Sequence, residues 1–261
     1  MSSLRQRYGP WALVAGGSAG LGEAFARRLA REGISLLLVG RRPEALARLA
    51  AELRAAHGVE ARGVAADLAD PGLLEAARSA AAGLEVGLLV YNAAHSVIGP
   101  FLERPLEEQL RVLEVNCRGP LLLSHWLGAE MARRGRGGIV LMTSLAGSQG
   151  NPWLASYAAS KAFNLVLAEG LWDELRARGV DVLACRAGAT RTPGFLASRP
   201  RRETPLMEPA AVVEAALSTL GRRPSVVPGA LNKVAAFAFA RLLPRRAAIR
   251  VMGRATRRLY Q

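Results

Sequence analysis

Six runs of six or seven mostly apolar residues recur along the chain, with longer amphipathic stretches between them. They are WALVAG (11–16), SLLLVG (35–40), ARGVAA (61–66), VGLLVYN (86–92), GIVLMTS (138–144) and VDVLACR (180–186). A strand covered on both faces needs near-continuous hydrophobicity of this length, whereas a strand with one wet face alternates. The intervening stretches 21–32, 43–57, 70–82, 105–134, 152–178 and 209–220 read as helices, and SVV (225–227) as a short seventh strand. Such alternation predicts an α/β fold: one doubly wound parallel sheet of about seven strands with helices on both faces, in three layers. Right-handed crossovers bring every strand's carboxyl end to one edge, and ligands bind there. No repeat or linker divides residues 1–229, and residues 230–261 form an apolar, basic extension.

The first run leads straight into AGGSAGLG (15–22), which opens a helix. Gly16, Gly20 and Gly22 are spaced G-x-x-x-G-x-G. Glycine permits the tight turn and lets backbone approach a pyrophosphate, and the helix N-terminus beyond favours negative charge. The placement between strand and helix marks a dinucleotide cradle formed by Gly16, Ser18, Gly20, Leu21 and Gly22.

A second signal comes from lysine. Of 35 basic residues only Lys161 and Lys233 are not arginine. A position that keeps lysine in this background has use for a compact ammonium. Lys161 stands four residues after Tyr157, so the two share a helix face. A free phenol has a pKa near 10, and a neighbouring cation stabilises its phenolate. Ser144 closes the fifth strand, where a hydroxyl can donate to a substrate oxygen.

The ordered set of motifs resembles the classical short-chain dehydrogenase/reductase family over about residues 10 to 228, with its Rossmann-type fold. Besides the glycine turn and Tyr157-x-x-x-Lys161, Asp67 and Leu68 follow the third strand, where family members contact adenine. Asn92-Ala93-Ala94 is similar to the family's N-A-G turn, with Ala94 in place of glycine. Asn116 matches a structural and proton-relay asparagine. AGATRT (187–192) resembles the nicotinamide-contacting P-G-x-V-x-T segment, with Ala187 for proline and Thr190 for valine. The resemblance implies Ser144, Tyr157, Lys161 and Asn116 as the catalytic set. It gives Lys161 hydrogen bonds to a nicotinamide ribose, and Asn116 a water that links Lys161 to solvent. It places Asn92, Ala93, Ala94, Gly188, Thr190 and Thr192 at the cofactor and implies a homo-oligomer, dimer or tetramer.

Sites for NAD usually carry an acid at the end of the second strand. Here the ending is Val39-Gly40-Arg41-Arg42, with no acid and two arginines able to grip a 2′-phosphate. The expected cofactor is therefore NADP(H), and the expected activity an interconversion of a hydrophobic ketone or aldehyde with its alcohol. Residues expected to line the substrate cleft are His95, Ser96, Leu145, Gln149, Trp153 and Phe195, although a lone histidine such as His95 also fits a structural role. The Pro- and Arg-rich stretch 193–209 reads either as a lid or as an ordinary loop.

The net charge of +14 is uneven, since residues 230–261 hold Lys233 and seven arginines and no acid. Nucleic-acid binding is not expected, because no aromatic-rich module accompanies the charge. Packing on the body, a subunit contact and a peripheral membrane contact remain open for the tail. The arginines from Arg245 onward recur irregularly, without a clean amphipathic stripe. A non-catalytic NADP(H) sensor acting through this tail is the competing reading. Cys117 and Cys185 lack metal-ligand spacing and read as reduced cytoplasmic thiols; no metal is expected, and no apolar run is long enough to span a bilayer.

Overall fold

The computed structural model describes residues 3–202 and 204–261; Glu203, within the 193–209 stretch read either as a lid or as an ordinary loop, and the first two residues lie outside the described residues. The elements are α1 (Leu4–Tyr8), β1 (Trp11–Ala15), α2 (Gly20–Arg31), β2 (Ser35–Gly40), α3 (Pro43–His57) and β3 (Ala61–Ala65). Then come α4 (Leu73–Ala80), β4 (Val86–Tyr91), α5 (Leu106–Leu113), α6 (Gly119–Arg134), β5 (Gly137–Ser144) and α7 (Ala155–Arg176). The chain ends with β6 (Val180–Ala187), α8 (Pro193–Ala197), α9 (Pro209–Thr219), β7 (Ser225–Val226), α10 (Ala230–Phe237) and α11 (Arg245–Tyr260).

The seven strands form one parallel sheet in the order β3-β2-β1-β4-β5-β6-β7. The winding reverses between β1 and β4, which opens a crevice at their carboxyl ends. Side chains alternate between two cores. Ala12 and Val14 of β1 join Phe25, Leu29, Leu46, Leu53, Val213 and Leu217 on one face. Leu13 and Ala15 join Leu73, Leu123, Leu127 and Met131 on the other. β1, β4 and nearly all of β5 are buried, as their continuous hydrophobicity requires. β3 is the exception: it is the sheet's edge and only Ala61 is buried, so Arg62 projects outward over the Trp11 ring at 5.0 Å.

The stretch expected as one helix over 105–134 is continuous but contains a π-turn at Glu114–Arg118 that separates α5 from α6. Its cause is visible. The Tyr91 hydroxyl wedges beneath the turn and donates to the Val115 carbonyl at 2.5 Å. Gly119 leaves room for that hydroxyl, which a Cβ there would approach to 2.1 Å. Such an extra residue in a helix commonly serves a functional site, and here it presents Asn116.

The tail corrects the sequence reading. α11 is amphipathic, with Ala248, Gly253 and Thr256 buried and its arginines mostly outward. Its inner face is made of small residues, so hydrophobic periodicity does not reveal it. Gly253 sits on Pro152, and Thr256 Oγ1 donates to Asn151 Oδ1 at 2.8 Å. Among the described residues no helix is long and apolar enough to cross a membrane.

Candidate active site

At the crevice the backbone is shaped for an anion. Gly16 and Gly20 have φ of 78° and 58°, a region costly for other residues. A Cβ on Gly22 would lie 2.0 Å from the Gly16 carbonyl oxygen, so only glycine lets α2 start this close to β1. Asn92 Nδ2 donates to that same carbonyl at 3.2 Å and ties β4's end to the turn. α2 has no side-chain cap, because Ala19 occupies the capping position. Its first N–H groups therefore remain available to a phosphate. The cradle fits the diphosphate of a nicotinamide dinucleotide. Across the crevice Gly20 faces Thr192, so the glycine turn and the 187–192 segment form opposite walls.

Arg41 and Arg42 are exposed at the end of β2. Arg42 Nη2 donates to the Ser18 hydroxyl at 3.0 Å, bringing guanidinium and hydroxyl to one spot beside the glycine turn. Asp67 accepts from Arg111 at 2.7 Å and from the Ala69 backbone at 3.0 Å. Those bonds and the nearby Arg111 and Arg41 charges outweigh partial burial and hold its carboxyl below the usual range. Leu68 is buried beside it. Ala93 packs against Gly16, while Ala94 is exposed.

Ser144, at the end of β5, and Tyr157 and Lys161, in the first two turns of α7, meet over the sheet's carboxyl edge. Lys161 is 3% exposed, and its Nζ donates to the Met142 carbonyl at 2.8 Å. Burial depresses its pKa to about 8, with a smaller opposing pull from Cys117. The ammonium lies 5.6 Å from the Tyr157 ring centroid. Burial raises the Tyr157 phenol, the nearby Ser144 side chain lowers it, and Tyr260 raises it. The influence that favours the phenolate here thus comes from Ser144, because Lys161 is held back by Met142.

Asn116 is fully buried. Its Oδ1 accepts from the His95 N–H at 2.7 Å, and its Nδ2 donates to the His95 carbonyl and the Ser160 hydroxyl, each at 2.9 Å. Its own carbonyl, turned out by the π-turn, accepts from Asn164 Nδ2 at 2.8 Å. The side chain thus clamps the loop after β4 to α7, and Asn164 extends the clamp one turn beyond Lys161. Asn164 gives no warning in sequence beyond its helical spacing.

The expected substrate residues spread around this centre. Trp153 has φ of 72°, unusual for a bulky aromatic, and its carbonyl accepts from Gly99 N–H at 2.9 Å. Such strain persists where surrounding structure imposes it. Leu145 and Phe195 are half-buried, and Gln149 is buried. His95 is engaged: its Nε2 lies 2.6 Å from Glu108 Oε2. Ser96 is exposed. Gly188 is pressed against Asn232 of α10, Thr190 is buried, and Thr192 caps α8 by accepting from Phe195 N–H at 3.2 Å. The tail supplies residues that the sequence did not announce. Tyr260 of α11 lies 3.2 Å from the Ser198 hydroxyl, and Arg201 is bonded to the Leu259 and Gln261 carbonyls at 2.8 and 2.7 Å. Ser198 and Arg201 thus tie the segment after α8 to the end of α11. A concavity of about 440 Å³ between α7, the 147–152 turn and α11 lies on a different face of α7 from Tyr157 and Lys161. Among the described residues no cluster could hold a metal ion.

Comparisons with known proteins point to one family and one fold. The short chain dehydrogenase family model matches residues 10–203. The 7beta-hydroxysteroid dehydrogenase of Collinsella aerofaciens is 34% identical over 237 residues, which cover 88% of this chain and 90% of that protein. A very-long-chain 3-oxoacyl-CoA reductase of Aspergillus clavatus is 36% identical over 219 residues, 82% of this chain and 63% of that one. A solved structure from a study of 7beta-hydroxysteroid dehydrogenase stereoselectivity superposes with a TM-score of 0.91 at 33% identity, covering 97% of this chain and 100% of its own. A short-chain dehydrogenase from Sphingobium yanoikuyae in complex with NADPH gives 0.79 at 31% identity, covering 89% and 94%. A glycine cradle suited to a nicotinamide dinucleotide, a hydroxyl pair beside a buried lysine and this extent of likeness lead to one conclusion. The chain belongs to the short-chain dehydrogenase/reductase family, whose members bind a nicotinamide cofactor and interconvert hydroxyl and carbonyl groups.

Proposed function

We propose that this protein is an NADP(H)-dependent oxidoreductase of hydrophobic ketones and their secondary alcohols, with Tyr157 as the proton-transfer residue. The observation that carries the reading is the meeting of Ser144, Tyr157 and buried Lys161 at the sheet edge beside the glycine turn. Gly16, Ser18, Gly20, Leu21, Gly22, Asp67, Leu68, Asn92, Ala93, Ala94, Gly188, Thr190 and Thr192 would hold the dinucleotide, and Arg41 and Arg42 its 2′-phosphate. When bound, the nicotinamide supplies or accepts the hydride.

The chain's own residues do the rest. Ser144 donates to the substrate oxygen and steadies the negative charge that develops on it. Tyr157 delivers the proton to that oxygen in reduction and removes it in oxidation. The Lys161 ammonium, buried at the same face, favours the phenolate once it turns from Met142 toward the phenol. The Asn116 clamp keeps the loop after β4 and the start of α7 in register. Leu145, Trp153 and Phe195 present apolar surface to the substrate and limit water around the reacting carbon.

NADPH oxidation with a panel of hydrophobic ketones tests the activity. Tyr157→Phe should lower turnover by about 10²–10⁴-fold while NADPH still binds; retained turnover would remove Tyr157 from its role.

The partly exposed apolar side chains of α5 and α7, Leu106, Leu110, Leu113, Phe163 and Val166, favour a subunit contact there, in a dimer or tetramer. On α10, exposed Leu231, Val234 and Phe237 beside Lys233 favour a peripheral lipid contact for a cytoplasmic enzyme. Sedimentation with anionic vesicles that weakens in salt would support that contact, and sedimentation indifferent to lipid charge would not.

A further inference from the structure

Residues 145–154 join Ser144, at the end of β5, to the first turn of α7, which carries Tyr157. The connection holds only one short 3-10 turn, Leu145–Ser148, so its course decides how α7 begins. Its first half is anchored by the body of the protein. Arg186 of β6 donates through Nη2 to the Ser148 hydroxyl at 2.7 Å. Gly147 lies so close to α7 that a Cβ there would come within 2.7 Å of the Lys161 and Ala162 backbone.

The second half is strained. Trp153 has φ of 72°, a left-handed backbone that is an outlier for a bulky residue. The Leu154 N–H donates to the Asn151 carbonyl at 3.0 Å, and the Leu154 carbonyl accepts from Ala158 N–H at 2.8 Å. The strained turn thus passes directly into the helix, and Tyr157 follows Trp153 by four residues. Such a turn keeps its shape only where the surrounding structure imposes it.

α11 supplies that constraint. Ile249, Gly253 and Thr256 recur at i, i+4 and i+7, so they form one stripe of the helix. Ile249 lies against Gly150, and Gly253 against Pro152, where a Cβ would come within 2.8 Å of the proline ring. Thr256 Oγ1 donates to Asn151 Oδ1 at 2.8 Å, and the two residues are only 5% and 3% exposed. A helix that merely shielded apolar surface would have no use for a buried hydroxyl. The hydroxyl–amide bond fixes direction, because a slip would leave both groups buried without partners. Pro152, with its fixed φ, carries the constraint on to Trp153.

We propose that Thr256, acting through Asn151, is a positioning residue for Tyr157. It holds the Asn151–Trp153 turn in its strained course and so sets where α7 begins and where the phenol stands. A misplacement of about 1 Å is enough to lower turnover by about 100-fold. The proposal rests on the oxidoreductase reading above for its catalytic readout, and hydrogen exchange supplies a readout that does not.

Thr256→Val keeps the shape of the side chain and removes the donor. In NADPH-dependent reduction of a ketone that the wild type accepts, kcat should fall by about 10–100-fold, with KM and the Kd for NADPH within about threefold of wild type. Thr256→Ser, which keeps the hydroxyl, should retain kcat within about threefold. The double variant Asn151→Leu/Thr256→Val replaces the pair by apolar side chains and leaves neither group unpartnered. It should regain the thermal midpoint that Thr256→Val loses, yet keep the low kcat. Recovery of both would make the pair a feature of fold stability alone and overturn the proposal. The double variant also carries the test if Thr256→Val fails to fold. Independently of turnover, the amides of Leu154, Ala158 and Gly99, which bond to the Asn151, Leu154 and Trp153 carbonyls, should exchange about tenfold faster in Thr256→Val. The amides of β1 and β5 should keep their wild-type rates. Unchanged exchange at the three amides overturns the proposal, as does faster exchange with wild-type kcat. A wild-type protein that binds NADPH but reduces no ketone sinks the oxidoreductase reading, and the exchange rates then still uphold or overturn the hold of α11 on the turn.

Discussion

Replacing Lys161 by methionine should make the cofactor-free protein more stable while it removes activity. The side chain is almost wholly buried, and its pKa falls from the usual 10.5 to about 8. That depression corresponds to about 3 kcal/mol paid at neutral pH to keep the buried ammonium charged. Methionine fills similar volume without charge. It leaves the Met142 carbonyl without its 2.8 Å partner, a loss of about 1–2 kcal/mol. The net gain is about 1–2 kcal/mol, or about 3–6 °C in thermal midpoint for a chain of this size. The pH dependence has a definite sign. Below pH 8 folded and unfolded chains both hold the proton, and the folded state bears the whole cost. Between about pH 8 and 10.5 the unfolded chain keeps the proton that the folded one has released, so stability rises with pH. Urea unfolding without cofactor at pH 7 and pH 9.5 reads both effects. Lys161→Met should unfold at higher urea at pH 7 and should lack the wild-type gain at pH 9.5. A variant less stable than wild type at pH 7, or one with the wild-type gain intact, would refute the assignment of a costly buried ammonium. Its turnover should fall by about 10²–10⁴-fold, since stability and function oppose one another at this position.

The cofactor site gives two further expectations. Gly22→Ala places a methyl 2.0 Å from the Gly16 carbonyl and should cost about 3 kcal/mol and abolish dinucleotide binding; a folded variant that binds NADPH normally would show that the turn yields. Arg41→Ala/Arg42→Ala should weaken NADPH binding about 10–100-fold and leave NADH binding unchanged. Parallel titrations followed by tryptophan fluorescence measure this, and equal loss for both nucleotides would place the arginines outside the 2′-phosphate site.

Where a local rule determined structure, it was legible in the sequence. Continuous apolar runs demanded strands buried on both faces, and β1, β4 and β5 obey because helices cover both sides of the sheet. Gly16, Gly20 and Gly22 were readable because positive φ and close backbone approach admit little else. Tyr157 and Lys161 were readable because a helix places i and i+4 together. Tertiary structure decided what depends on distant partners. The π-turn at Asn116 arises because Tyr91, from another strand, pushes under the helix. The Lys161 ammonium sits on Met142 instead of beside the phenol because β5 offers a carbonyl there. His95 turns to Glu108 of α5. The tail is the sharpest case. Its arginines dominate its composition, yet its place is set by Ala248, Gly253 and Thr256, small residues whose fit against Asn151 and Pro152 only the assembled surface defines. Periodicity detects large apolar side chains leaving water; it is blind to a helix held by close approach.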